Sequence, residues 1–539
     1  MKKLRFLACL GLSVVLTSAL FLGCPTDGET IVEETIIEDV DPSVFSFWLV
    51  HEFYQDTQRT TKVIIDAGNG KTFKASEFNE NSFQVHALLT HYFEHSAADM
   101  ANKVVFSGNR VVEYVHVTPS IENINQLAKR DFVGDDGIHE RRQARLPGVE
   151  QGRYLVLELK SDREIDPGFT RTPGAEAGWI DGSQMIQHKM DYTIIPLITF
   201  NRYKGSTAEE IKLNSDYRYA KSTKMYNKNE FIPGDISVVF NLFEAESFSG
   251  VNDAGDAYVL NYRIYKPKGV SGKVPLTVWL HGNDGQRIVE NATRWPNGVP
   301  EFLQNHGNLL SGSGAAVLAN PVTQEKYGPF FVLAPQANGS HNPATYKAVI
   351  DKLLVDNPSI DPTRIYFGGT SMGGMGSLNM VIDYPGFVAA AFTGPGSVGF
   401  FGAPPAASVD ALKGTPIWLV STYGDNTGMD NLSALLFNAL KDANGNVRWT
   451  TFPANTSGGG YPETNLVPGG LGWAHSAYEP MMSDKITTNY LYNVDTVTPG
   501  SGFGARYSNV TYGRVAPGDN PGDTLFAWLF KQKLPEVTE

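Results

Sequence analysis

The stretch RIYFGGTSMGGMGS, residues 364–377, decides the fold of this chain. Its apolar run, residues 365–367, leads directly into the pentapeptide GTSMG at 369–373, and a segment of helical character follows. A serine flanked by glycines at a strand-to-helix turn is typical of a nucleophile elbow, because residues without a Cβ let the strand and the helix approach closely. The pattern predicts a strand, a strained turn at Ser371 and a helix.

The sequence around this turn alternates between apolar strands and amphipathic helices. The strand candidates include PLTVWLHGND, GPFFVLAPQ, FVAAAFTGPGS and TPIWLVSTYGD, and the helix candidates include TYKAVIDKLLVDNP and NLSALLFNALKDAN. Apolar strands that alternate with helices are typical of a parallel sheet with helices on both faces. Residues 241–539 are therefore predicted to form a mostly parallel sheet covered by helices.

Residues 45–240 have a different pattern. Short runs such as VVEYVHVTPS and GRYLVLELKS alternate apolar and polar residues, as half-buried strands do, and TKVIIDAGNGKTF contains an Asn-Gly turn signal. Short strands at this spacing predict an all-β sandwich.

The N-terminus has the pattern of an export signal. Basic residues at positions 2, 3 and 5 precede the apolar run 6–23, and LFLGC follows at 20–24. This resembles the lipobox of bacterial lipoproteins, although Leu22 is larger than the small residue usual there. The resemblance implies a signal peptide at 1–24, lipid on Cys24, an acidic tether at 25–44 and a cell-envelope protein anchored to a membrane outside the cytoplasm. An uncleaved anchor helix and ordinary signal cleavage are the alternatives.

Composition excludes several classes of partner and cofactor. The net charge of −13 argues against nucleic acid and anionic membrane surfaces, which bind basic faces. Cys9 and Cys24 are the two cysteines, and loss of the first with the signal and lipidation of the second would leave the mature chain without a disulfide. The nearest metal pattern, His91 and His95, is more typical of a polar surface segment. We expect no metal or other cofactor.

Several stretches together resemble a known family. DPTRIYFGGTSMGGMGS, PLTVWLHGND, FFVLAPQ and FAWLFKQK are similar to α/β-hydrolase serine esterases of the group often labelled predicted peptidases or polyhydroxybutyrate-depolymerase-like, akin to feruloyl and acetylxylan esterases. The resemblance covers about residues 241–539. Some members carry an immunoglobulin-like domain before the hydrolase, and residues 45–240 are more weakly similar to it. The family implies an ester substrate, either a small molecule, a saccharide ester or a polyester.

The family order of catalytic residues is serine, acid, histidine. A serine needs a base, and the base needs an orienting carboxylate. Ser371 is the candidate nucleophile, and His475 is the only one of the 11 histidines that follows it. Asp425 ends the strand TPIWLVSTYGD and occupies the family position, but the family usually reads His-Gly-x-x-Asp there. The altered surroundings leave Asp430 as a rival acid.

The predicted oxyanion hole needs two N–H donors. One is the backbone of Met372, and the other belongs to the loop after TVWLHG, for which Asn283 is the candidate. We interpret His281, in the same loop, as structural. The resemblance favours cleavage of carboxylic esters through an acyl-enzyme. A peptidase of the same fold, and a surface-binding lipoprotein with an inactive hydrolase domain, are the alternatives.

Overall fold

The computed structural model describes a large part of the chain. The described residues are 45–53, 58–91, 104–121, 148–160, 188–211, 219–223, 236–237, 239, 242–251, 255–282, 314–337, 339–399, 402–422, 425, 427–452, 475, 477, 481–482, 484, 486, 491–492, 510–513, 520 and 522–535. All of them belong to one compact unit, Asp41–Glu539. The predicted signal peptide, Cys24 and the acidic tether lie outside the described residues.

The N-terminal part of the described chain is built from strands. They are β1 (Ser46–Phe53), β2 (Gln58–Asp66), β3 (Phe73–Lys74), β4 (Phe83–His91), β5 (Val104–Arg110), β6 (Val112–Thr118), β7 (Gln151–Gly152), β8 (Tyr154–Leu159), β9 (His188–Pro196), β10 (Phe200–Lys204), β11 (Thr207–Ile211), β12 (Tyr219–Thr223) and β13 (Ile236–Ser237). A 3-10 turn, Ala75–Glu77, follows β3.

These strands form two larger sheets and two small ladders. The first sheet has the order β13-β1-β2-β8-β6 and the second β12-β9-β4-β5, while β3 pairs with β7 and β10 with β11. Val63 of the first sheet and Val85 and Ile194 of the second belong to one buried apolar cluster. The two sheets therefore pack through a shared core.

Strand β8, which is an interior strand of its sheet, differs from the sequence expectation. Its alternating pattern predicts a half-buried strand, but residues 155–159 are all buried, including the carboxylate-bearing Glu158. Strand β8 lies between β2 and β6. Leu155 and Leu157 join the core between the sheets, while Val156 belongs to a second apolar cluster with Val50 and Ile64. The strand is buried on both of its faces, which alternation alone does not reveal.

The remaining described residues form an α/β unit. Its strands are β14 (Phe243–Val251), β15 (Ala257–Tyr265), β16 (Val274–Leu280), β17 (Phe331–Pro335), β18 (Ile360–Gly369), β19 (Ala390–Thr393), β20 (Ile417–Thr422), β21 (Val447–Phe452), β22 (Leu491–Tyr492) and β23 (Val510–Gly513). Its helices are α1 (Gly314–Ala319), α2 (Pro321–Tyr327), α3 (Pro343–Asp356), α4 (Met372–Asp383), α5 (Ala406–Leu412), α6 (Met429–Asp442) and α7 (Leu525–Leu529).

The ten strands form one sheet in the order β14-β15-β17-β16-β18-β19-β20-β21-β23-β22. The six central strands, from β17 to β21 in this order, are mutually parallel. On β16, Leu276 and Val278 belong to the apolar cluster that contains helices α3, α4 and α6, and Trp279 belongs to the cluster that contains α1 and α7. Helices cover both faces, and the prediction of a mostly parallel, covered sheet is confirmed.

The parallel strands bring distant parts of the sequence to one edge of the sheet. Strand β18 ends at Gly369, just before Ser371, and β20 ends at Thr422, just before Asp425. Strand β19 lies between them, and its last residue pairs with Gly369. Because neighbouring strands are about 4.8 Å apart, the two chain ends lie roughly 10 Å apart across the sheet.

An ion pair between Asp66 and Arg153 fixes the end of β2 and should make the stability of the fold depend on pH. Nε and Nη2 of Arg153 each donate to Asp66 at 2.7 Å, and the N–H of Gly68 donates to the same carboxylate at 2.9 Å. Burial alone would raise the pKa of Asp66, but these hydrogen bonds and the charge of Arg153 lower it below its usual value. The ionised form is thus stabilised in the folded state.

We expect Asp66→Asn to lower the free energy of unfolding by about 1–3 kcal/mol at pH 7, the size of a hydrogen bond to a charged group. The difference in unfolding free energy between the variant and the wild type should have its full size above a pH of about 4. It should vanish as the pH falls through the lowered pKa of folded Asp66. Urea unfolding at pH 7 and pH 3 measures both values. Glu113→Gln, at an exposed position of β6, is the control. An equal Asp66→Asn effect at both pH values would contradict the expectation.

Candidate active site

The turn at Ser371 has the backbone strain expected of an elbow. Ser371 precedes helix α4 with φ 54° and ψ −119°, and it is one of three non-glycine residues with positive φ in the described chain. Such a conformation costs on the order of 1–3 kcal/mol and persists only where the surroundings enforce it. Here the N–H of Ser371 donates to the carbonyl of Pro395 at 2.7 Å, and its carbonyl accepts from the N–H of Met375 at 3.0 Å.

The glycines around Ser371 allow an unusually close backbone contact. A Cβ on Gly373 would lie 2.0 Å from the carbonyl oxygen of Leu280, at the end of β16. A Cβ on Gly369 would lie 2.5 Å from the backbone of Gly373. Neither position has room for a side chain. The start of α4 therefore packs against the end of β16 as well as against its own preceding strand.

Met372, a predicted oxyanion donor, is the first residue of α4. The first N–H groups of a helix have no acceptor within the helix, and the helix dipole places partial positive charge beside them. An anionic oxygen next to Ser371 would meet this end of the helix. The second predicted donor, Asn283, lies outside the described residues.

The structure places His475 against Asp425. Nδ1 of His475 lies 2.6 Å from Oδ2 of Asp425, and the two side chains are 6% and 0% exposed. Because a carboxylate only accepts hydrogen bonds, Nδ1 carries the hydrogen in this pair. The Nε2 atom, which is buried, is then the ring nitrogen that can take up a proton.

The rival carboxylate, Asp430, has a different position. It lies in the first turn of α6, and its Oδ1 accepts from the N–H of Asn431 at 2.8 Å. Asp425 is held before that helix, because its N–H donates to the carbonyl of Thr422 and its own carbonyl accepts from the N–H of Gly428. The carboxylate of Asp425 contacts the ring of His475.

His281 bonds to the backbone through both ring nitrogens. It is fully buried, its Nε2 accepts from the N–H of Ala337 at 3.0 Å, and its Nδ1 donates to the carbonyl of Gly282 at 2.7 Å. Both contacts hold the end of β16 and the start of the following loop. The geometry agrees with a structural role.

His341 is another buried histidine, and it lies beside His281. Its Nε2 donates to the carbonyl of His281 at 2.9 Å, and its Nδ1 accepts from the hydroxyl of Tyr346. Burial lowers the pKa of His341 to about 3, and the nearby His281 adds to this effect, so the ring is neutral. A Cβ on Gly376 would lie 2.7 Å from the Cβ of His341, so this ring packs between α4 and the end of β16. No spacing or motif singles this residue out.

The described residues contain no group of three or more histidine, cysteine, aspartate or glutamate side chains placed to hold a metal ion. His95 and the side chain of His91 lie outside what the structure describes. Among the helices that it does describe, none has the length and apolar character needed to cross a membrane.

No protein-family model and no curated protein matches the sequence. Solved structures do match. A thermostable esterase has a TM-score of 0.53 and 20% identity, covering 82% of this chain and 96% of its own. Pyrococcus horikoshii acylaminoacyl peptidase has a TM-score of 0.31 and 13% identity, covering 55% and 46%. Thermogutta terrifontis esterase 2, phosphorylated by paraoxon, has a TM-score of 0.27 and 18% identity, covering 39% and 82%.

The first of these likenesses establishes the fold, which is that of the α/β hydrolases. Its coverage exceeds residues 241–539 alone, so the likeness extends into the N-terminal strands.

Substitution of the two carboxylates after β20 should have different effects on ester turnover. Asp425→Asn keeps the shape of the side chain but removes the charge that fixes the histidine tautomer, so hydrolysis of an activated ester should fall by roughly 10³- to 10⁴-fold, as in serine proteases. Asp430→Asn, the matched control five residues away, should cost less than about 10-fold. The measurement is turnover of one p-nitrophenyl ester by both variants, with folding checked by thermal melting. A larger loss at Asp430 would reverse the assignment.

Proposed function

We propose that this protein is a serine hydrolase that cleaves carboxylic esters. The observation that supports the proposal best is the buried contact between His475 and Asp425, at the sheet edge where Ser371 occupies its strained turn. A nucleophile, a base and an orienting acid at one edge, beside a helix N-terminus, are the components of acyl transfer.

The proposed reaction begins with attack of the Ser371 hydroxyl oxygen on the ester carbonyl. Nε2 of His475 takes the hydroxyl proton, and Asp425 stabilises the resulting imidazolium through Nδ1. The N–H groups of Met372 and Asn283 stabilise the negative oxygen of the tetrahedral intermediate. As this intermediate collapses, the imidazolium gives its proton to the departing alcohol, and an acyl-serine remains.

Water completes the cycle by the same route. His475 removes a proton from a water molecule, which attacks the acyl-serine, and the collapse of the second tetrahedral intermediate returns the proton to Ser371. The carboxylic acid leaves, and the enzyme is regenerated. An ester is favoured over a peptide because an alcohol is an easier leaving group than an amine. The substrate class is the one that the family resemblance implies, namely small-molecule, saccharide or polyester esters.

We also infer the organisation of the whole chain from its sequence. Residues 1–24 are a lipoprotein signal peptide, Cys24 carries the lipid, and residues 25–44 are an acidic tether. Residues 45–240 form an immunoglobulin-like sandwich, and residues 241–539 form the catalytic domain. The mature enzyme is then held by its lipid at a membrane outside the cytoplasm.

Removal of the nucleophile tests the proposed reaction. Ser371→Ala should lower ester turnover by at least about 10³-fold and abolish labelling by a fluorophosphonate probe, because no other group forms the acyl-enzyme. Ser249→Ala, at an exposed position of β14, should leave both unchanged.

Three results would contradict the proposal. A folded Ser371→Ala protein that still turns over refutes the nucleophile, and a wild type that never labels favours the surface-binding alternative. If the protein cleaves an anilide as fast as it cleaves an ester with the same acyl group, the result favours a peptidase.

The membrane anchor has its own test. Cells that express the full chain are fed a labelled fatty acid, and the protein is recovered and examined for label. The wild type and Cys9→Ser should be labelled, because Cys9 lies inside the signal, whereas Cys24→Ser should not be. Absence of label on the wild type would show that Cys24 is not lipidated.

A further inference from the structure

The carboxylate of Asp425 has more partners than a serine–histidine–aspartate triad requires. Its Oδ2 meets Nδ1 of His475, while its Oδ1 accepts from both the N–H and the hydroxyl of Thr427, at 2.9 Å and 2.7 Å. The hydroxyl oxygen of Thr427 also lies 3.0 Å from Nδ1 of His475. One threonine therefore contacts both the acid and the base.

We propose that Thr427 is a positioning residue of the catalytic site, an inference that rests on the proposed function. Since an ionised carboxylate is an acceptor only, the threonine hydroxyl donates its hydrogen to Asp425. The oxygen keeps its lone pairs, and one of them faces the hydrogen on Nδ1 of His475. The N–H of the imidazole thus lies between two oxygen acceptors, one charged and one neutral.

The local backbone makes this placement rigid. Thr427 lies two residues after Asp425, where an aspartate side chain commonly accepts from the following backbone. Gly428 then adopts φ 79°, and helix α6 begins at the next residue. The hydroxyl is therefore fixed by a turn between a sheet strand and a helix.

The hydroxyl has a defined consequence for the reaction. It holds the carboxylate in the plane that meets the imidazole, and the carboxylate in turn stabilises the imidazolium of the transition state. Substrate binding does not require either effect, because neither contact involves the substrate. Loss of the hydroxyl should therefore lower kcat and leave KM nearly unchanged.

The N–H contact and the hydroxyl contact can be separated by substitution. Any residue except proline supplies the N–H, whereas only serine would keep the hydroxyl. Thr427 is exposed in the structure, so valine, which has the same shape, should leave the fold intact. Thr427→Val tests the hydroxyl, Thr427→Ser tests its rescue, and Thr207→Val, at an exposed position of β11, is the matched control.

We expect Thr427→Val to lower kcat on a p-nitrophenyl ester by about 10- to 100-fold, the effect of one hydrogen bond to a charged group. Thr427→Ser and Thr207→Val should stay within about threefold of the wild type, and thermal melting should show all three folded. Full activity of Thr427→Val, or equal damage by serine and valine, would overturn the proposal.

A double variant, Asp425→Asn with Thr427→Val, tests whether the hydroxyl acts by positioning Asp425 or independently of it. If the hydroxyl acts through the carboxylate, adding Thr427→Val to Asp425→Asn should cost less than about threefold more. If the two losses multiply in full, the hydroxyl acts independently of Asp425 and the proposal fails. Failure of the proposed function looks different, because Ser371→Ala and Asp425→Asn would then retain activity themselves.

Discussion

The candidate site depends on one backbone contact, between Gly373 at the start of α4 and the carbonyl of Leu280 at the end of β16. A Cβ at Gly373 would lie 2.0 Å from that oxygen, so the helix can approach the strand only because no side chain intervenes. The N–H of Thr370 donates to the same carbonyl at 3.3 Å. This contact fixes β16, β18 and α4 relative to one another, and the positive φ of Ser371 follows from the sharp turn that it imposes.

The candidate site contains a buried histidine–carboxylate pair, and the buried His341 near the start of α4 is neutral. His475 and Asp425 are buried together, where a charge-assisted hydrogen bond is stronger than in water. On the other side of the turn, His341 is neutral because burial has lowered its pKa to about 3. His341 donates to the carbonyl of His281, and His281 bonds the backbone through both of its ring nitrogens. These contacts therefore fix the chain after β16 without adding charge.

The N-terminal strands and the α/β unit do not have fully separate cores. One buried apolar cluster contains Phe47 and Leu49 of β1 together with Trp279 of β16 and Trp528 of α7. The described residues of both regions also belong to one compact unit. Separating the two regions would expose part of this cluster to water, at a cost proportional to the apolar area.

The sequence by itself determined the α/β fold of residues 241–539 and predicted two site residues, Ser371 and His475. The glycines around Ser371 are a local signal, because a tight turn constrains the backbone at each of these positions. The fully apolar strands are also a local signal, because burial on both faces of the sheet requires an apolar residue at each position. Chain order then left His475 as the sole histidine after Ser371. Only the tertiary structure placed Asp425 in contact with His475, and only it revealed the contacts of Thr427 and His341. Such contacts depend on how the sheet packs residues up to 60 positions apart, which no local pattern encodes.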